Sequence, residues 1–155
     1  KKGYTYGVYS AFTLPRDVGK FVVQAAVRNE VVEPAIREIL GEMARLRLEP
    51  VPSDELRDAK SYLTGSFALR LETLRDLTGQ VVSLKVRDLP LSDLRSYPQG
   101  IAQVDARTVL EAARAYIHPE AAAIVVVSDA AKVRSQLERI VPVVEVNTEG
   151  QPIGD

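Results

Sequence analysis

At 155 residues, with 46% apolar and 26% charged side chains, the sequence has the size and composition of one folded domain with a real core. Twenty Lys and Arg against 21 Asp and Glu leave a formal charge of −1, which excludes a basic footprint for nucleic acid or an anionic membrane surface. With no cysteine and one histidine, His118, the chain cannot form disulfides, a thiolate site or the three-ligand set of a catalytic zinc.

In chain order, residues 3–13 alternate as a strand does, with Tyr4, Tyr6 and Val8 on one face and Thr5, Gly7 and Tyr9 on the other. Leu14 to Gly19 holds a proline and a glycine and reads as a loop. Phe21 to Val27 is a second β-branched run, so an antiparallel hairpin is expected. From Glu33 the period becomes helical: Ile36, Ile39, Leu40, Met43 and Leu46 share a face. Pro50 and Pro52 stop that helix. Ser53 then stands as the expected N-cap of a second, whose buried stripe is Leu56, Ala59, Leu63 and Phe67.

Thr73 caps a third helix carrying Leu74, Leu77, Val81 and Leu84, and residues 91–103 read as a short helix and loop around Pro98. Asp105 is the N-cap of the next helix, flanked by the staple pair Val104 and Val109, and His118-Pro119 closes it. Ala121 to Val127 reads as a buried strand, Asp129 to Ile140 as a last helix and Val141 to Val146 as an edge strand. The expected class is therefore α+β, an antiparallel sheet packed against a layer of helices. A single domain over 1–146 and a mobile polar tail over 147–155 are expected. The abrupt strand-like start, with no targeting segment, reads as the beginning of a piece of a longer polypeptide.

Chemistry is sparse. There is no HxxEH or HExxH zinc motif, no GxSxG elbow, no phosphate-binding glycine loop and no calcium loop. His118, at a helix end before proline, suits the negative end of the helix dipole. The arginines are interleaved with acids, as on a solvated surface. Four aromatics within nine residues, Tyr4, Tyr6, Tyr9 and Phe12, stand out. Tyrosine is a good strand former, and a tyrosine-rich edge could also dock an extended peptide. No apolar run approaches the roughly 20 residues that span a bilayer. A soluble chain without a membrane partner is expected, and its compartment, periplasm or cytoplasm in a bacterium, stays open.

Lys1 to Ser10 resembles the tail of a signature in the pitrilysin/insulinase family of zinc metallopeptidases, which includes mitochondrial processing peptidase-like proteins. The later order agrees: Val27-Arg28, Ala35 to Leu40, Glu49 to Val51, Asp54 to Phe67, Leu71 to Thr73, Tyr116 to Glu120 and Ile124 to Ala130. The resemblance covers residues 1 to about 140 and points to the C-terminal, non-metal-binding "inactive" domain. It implies repeated α+β lobes enclosing a peptide-sized chamber, with zinc in a partner HxxEH lobe of the same polypeptide or of another subunit.

It also implies no catalytic and no metal-binding residue here, and a substrate-binding tyrosine at Tyr6, with Tyr4 on the same face as the competing choice. The family's arginine would lie seven residues before Tyr6, ahead of Lys1. The function so implied is a non-catalytic, substrate-binding lobe of a zinc-dependent metalloendopeptidase. A structural subunit without proteolysis and a stand-alone peptide-binding module are the alternatives.

Overall fold

The structure, a computed structural model, describes residues 3–15 and 18–153. Its order is β1 (Val8–Thr13), β2 (Lys20–Ala25), a 3-10 turn (Asn29–Val31), α1 (Val32–Leu48), α2 (Ser53–Leu69) and α3 (Leu74–Val86). Then come α4 (Ser92–Gln103), α5 (Ala106–Tyr116), a second 3-10 turn (Pro119–Ala121) and α6 (Ala130–Leu137). Helices dominate, beside a two-stranded antiparallel sheet, so the α+β class holds. Two compact units are present. One draws on Lys1–Ala11, Val22–Ala44 and His118–Asp155, the other on Phe12–Phe21 and Arg45–Ile117.

The hairpin forms where the sequence places it, but shorter. In β2 the apolar alternation is visible: Phe21, Val23 and Ala25 are half-buried, while Lys20, Val22 and Gln24 are exposed. Phe12 and Phe21 stack across the two strands with ring centroids 4.8 Å apart. The Thr13 hydroxyl donates to the Lys20 carbonyl at 3.3 Å and closes the loop. Gly19 suits this loop, because a Cβ there would sit a tight 3.0 Å from the Thr13 carbonyl oxygen. Arg16 and Asp17 of the expected loop lie outside the described residues.

In the first unit, α1 is anchored at its start by α6. Helix starts leave backbone N–H groups unpaired. Here the Glu33 N–H donates to Gln136 Oε1 at 3.3 Å, and Gln136 Nε2 donates to the Asn29 carbonyl at 2.8 Å. The Glu33 carboxylate accepts from Arg139 Nε at 2.6 Å and from Arg37 Nε at 3.0 Å, and Arg37 Nη2 reaches the Arg139 carbonyl at 2.9 Å. Beneath this network Val32, Ala35 and Val133 are buried. The two guanidiniums hold the Glu33 carboxyl below its ordinary value of 4.5, Arg139 contributing most.

In the second unit Phe67 of α2 packs on Tyr97 of α4 at 4.4 Å, and Lys60 Nζ donates to the Ala102 carbonyl at 2.8 Å. Leu84, Ala113 and Ile117 complete the buried set. Arg114 Nε donates to the Arg47 carbonyl at 2.8 Å, satisfying an orphan acceptor at the end of α1. The sequence-expected caps are present at two helices. Thr73 Oγ1 accepts from the Asp76 N–H at 3.1 Å, and Asp105 Oδ1 accepts from the Thr108 N–H at 2.7 Å. α3 ends in a Schellman arrangement with Asp88 left-handed at φ 56°, the Leu89 N–H reaching Leu84 O and the Asp88 N–H reaching Lys85 O.

Four expectations change. Ser53 is the first helical residue, not the cap: extended Pro52 takes that place and offers no side-chain acceptor. Of residues 91–103, Ser92–Gln103 form one helix despite Pro98, with Tyr97 and the Ala102 carbonyl held by α2. Residues 121–127 are not a buried strand. They make no ladder among the described residues, and Val125 and Val127 are 87% and 97% exposed. β-propensity is expressed only against a partner strand. The edge strand 141–146 reduces to one bridge, Val146 to Pro152, since Pro142 removes a ladder donor. Within the expected tail, the Asn147 side chain accepts from the Glu149 and Gln151 N–H groups at 2.9 Å each and stabilises a turn.

Because the Glu33 carboxyl is depressed in the folded state, its contribution to stability is full above about pH 4.5 and fades as pH falls through the lowered value. Urea midpoints measured from pH 3 to 7 should show a shallower acid limb in Glu33→Gln than in the parent chain. Loss of the cap in Thr73→Ala should cost about 1 kcal/mol in denaturant unfolding.

Candidate functional site

The two tyrosines singled out in the sequence precede the first strand instead of lying on it. Thr5 explains the change. Its hydroxyl donates to the Gly7 carbonyl at 2.9 Å and accepts from the Gly7 N–H at 3.2 Å. Both backbone groups of Gly7 are thereby occupied locally and withdrawn from a ladder. Gly3, at φ +67°, adds a left-handed residue that an extended strand does not contain. The expected common face of Tyr4, Tyr6 and Val8 is therefore lost, and β1 begins at Val8.

Tyr6 stands fully exposed, while Tyr4 is half-buried. No residue among those described hydrogen-bonds the Tyr6 hydroxyl, which leaves a donor and an acceptor open to solvent. Tyr9 folds its ring back over Gly7, where an added Cβ would come within 3.2 Å of the phenol oxygen. Of the tyrosines that open the chain, Tyr6 alone combines full exposure with an unencumbered hydroxyl.

A second concave surface escapes the sequence reading. In the second unit α2, α3 and α4 enclose an open groove of about 790 Å³, walled by Phe67, Ala68, Leu71, Leu77, Val81, Leu91 and Leu94. Arg95 is the one charged residue lining it. The signal was present: Leu91, Leu94, Arg95 and Pro98 follow i, i+3, i+4, i+7 spacing, so an arginine occupies an apolar-stripe position. It is obscured by Pro98, which makes the segment read as half loop.

His118, the one histidine of a sequence without cysteine, lies beyond α5 with Nδ1 3.4 Å from Glu120 Oε1, both half-exposed. Among the described residues no three His, Cys, Asp or Glu side chains gather as a metal cluster. The zinc that the resemblance implies is assigned to a partner HxxEH lobe and not to these residues. Among the same residues no helix is long and apolar enough to cross a membrane.

The sequence pattern described as the peptidase M16 inactive domain matches residues 1–63. Among solved structures, a crystal structure of a peptidase M16 inactive domain from Pseudomonas fluorescens is similar at 28% identity and a TM-score of 0.69. The alignment covers 77% of this chain and 28% of that one, so the chain spans little more than a quarter of the relative's length. No curated protein matches at a significant level.

Elemental analysis of the purified chain should find far less than one zinc per molecule after dialysis. A stoichiometric, chelator-resistant zinc would overturn the ligand argument.

Proposed function

We propose that this chain, which belongs with the inactive domains of the peptidase M16 family, acts as the non-catalytic, substrate-facing lobe of a peptide hydrolase. In this reading the hydrolase is a zinc metalloendopeptidase of the pitrilysin/insulinase type. Its metal is held by an HxxEH lobe, in the same polypeptide or in a neighbouring subunit. The observation that carries the reading is the match over residues 1–63, a span that includes the free Tyr6 hydroxyl.

A phenol O–H held beside a scissile peptide donates to the carbonyl oxygen. Negative charge grows on that oxygen as a nucleophile adds, so the bond is stronger in the transition state than in the bound substrate. Tyr6 is available for this because no described residue hydrogen-bonds its hydroxyl and its ring is fully exposed. Tyr4, half-buried, is the poorer candidate. The arginine that the resemblance pairs with this tyrosine falls before Lys1, so the chain supplies one half of that pair.

Several exposed charged side chains form local ion pairs, such as Arg107 with Glu111 and Arg134 with Glu138, at 3.0 and 2.9 Å. Such exposed pairs organise a helix surface and are individually worth little.

Assayed together with the HxxEH lobe, Tyr6→Phe should lower kcat for peptide cleavage by about 10²-fold with a smaller change in KM. Circular dichroism of the variant should be unchanged, since the ring is exposed. Unaltered cleavage by Tyr6→Phe would reject the assignment, and failure to find any HxxEH partner would favour a structural subunit.

A further inference from the structure

Resting on the reading of the chain as a peptide-facing lobe, we infer that the groove between α2, α3 and α4 is a separate docking site for peptide substrates. It takes an apolar segment that carries a carboxylate, and Arg95 reads the carboxylate.

Three observations converge. The first is shape: about 790 Å³ of open concavity falls in the range of ligand sites, and its walls are almost wholly apolar side chains. The second is placement. Arg95 sits on the stripe Leu91, Leu94, Pro98, where the helical repeat calls for a hydrophobic residue. Arg95 lines the groove and is itself exposed, so its charge is available there without being buried.

The third is charge. Two exposed arginines of this unit are paired, Arg57 with Asp58 at 3.1 Å and Arg107 with Glu111 at 3.0 Å. Arg95 has no ion pair or hydrogen bond among the described residues. A planar, permanently charged donor beside a low-dielectric wall is suited to a carboxylate, which it holds in two parallel bonds. An uncharged apolar ligand would leave that capacity unused.

The groove is formed wholly by residues between Thr64 and Pro98. Tyr6 is not part of it. Docking here would hold a substrate by a segment other than the one being cleaved and raise the local concentration of the rest. It would add selectivity for peptides bearing an acid within a hydrophobic stretch.

The test uses the 155-residue chain and three unlabelled peptides of sequence acetyl-Gly-Leu-Leu-X-Phe-Gly-amide, with X as Glu, Gln or Lys, followed by isothermal titration calorimetry. The Glu peptide should bind saturably and at least ten-fold more tightly than the Gln peptide. Arg95→Gln should erase that ten-fold preference without changing the Gln peptide's affinity. Arg95→Glu should transfer the preference to the Lys peptide, a reversal that a loss of folding cannot produce.

Equal binding of the three peptides, no saturable binding, or a Glu preference that survives Arg95→Gln would each overturn the proposal. Tyr6→Phe separates the two readings, because it should leave these affinities unchanged. If groove binding fails while Tyr6→Phe still lowers cleavage, the docking site alone is wrong. If the Arg95 signature holds while cleavage ignores Tyr6→Phe, the lobe's proposed role at the scissile bond is wrong.

Discussion

The Glu33 carboxylate is the tie on which the first unit depends. It joins the start of α1 to Arg139, just past α6, across a sequence separation of 106 residues. Closing so long a loop costs configurational entropy that no local preference repays. The network repays it by concentrating several bonds at one place: Arg139 and Arg37 on the carboxylate, Gln136 on the adjoining backbone. Val32, Ala35 and Val133, buried beside it, exclude water from part of the same contact. The Glu33 side chain is 18% exposed while both arginines are more than half exposed. The partly sheltered acid thus meets well-solvated cations, which limits the desolvation cost that weakens buried pairs.

The second unit is held by a different kind of contact. Phe67 and Tyr97 supply area and geometry, and Lys60 and Arg114 supply ends to carbonyls that helices leave unpaired. This division explains why α4 survives its internal proline. Pro98 removes one donor of the helical ladder, but the residues on either side are fixed by α2. Leu94 and Arg95 of α4, with Leu91 just before it, line the groove. A residue usually read as a helix breaker therefore sits within the element that shapes a concave surface.

What the sequence shows of this molecule follows the range of the forces. Thr73 and Asp105 cap helices as their residue types require, because a cap needs only a partner three residues away. Ser53 misleads by one position because Pro52 already supplies the non-helical geometry. The hairpin is legible, since its strands are neighbours in the chain. Residues 121–127 carry an equally strong strand pattern, yet Val125 and Val127 face solvent. Their propensity is real, and the missing ingredient is a second backbone, which no local pattern can supply. The Glu33 tie is invisible for the same reason: nothing in Glu33 or Arg139 alone marks them as partners.

The candidate sites obey the same rule, with a consequence for how each was found. Tyr6 is chosen by its resemblance to a family position; the physics of a tyrosine near a chain start would not select it. The structure adds that Thr5 bends the chain before β1, freeing the Tyr6 hydroxyl from the sheet face where alternation would have laid it. Arg95 is the converse case. No family motif marks it, but a charge on an apolar stripe is a local inconsistency, and such inconsistencies gather where a surface serves binding more than folding. The α4 stripe alone would have passed for core with one misplaced residue. The open groove between α2, α3 and α4, which Arg95 lines among apolar side chains, gives that misplacement a place to act.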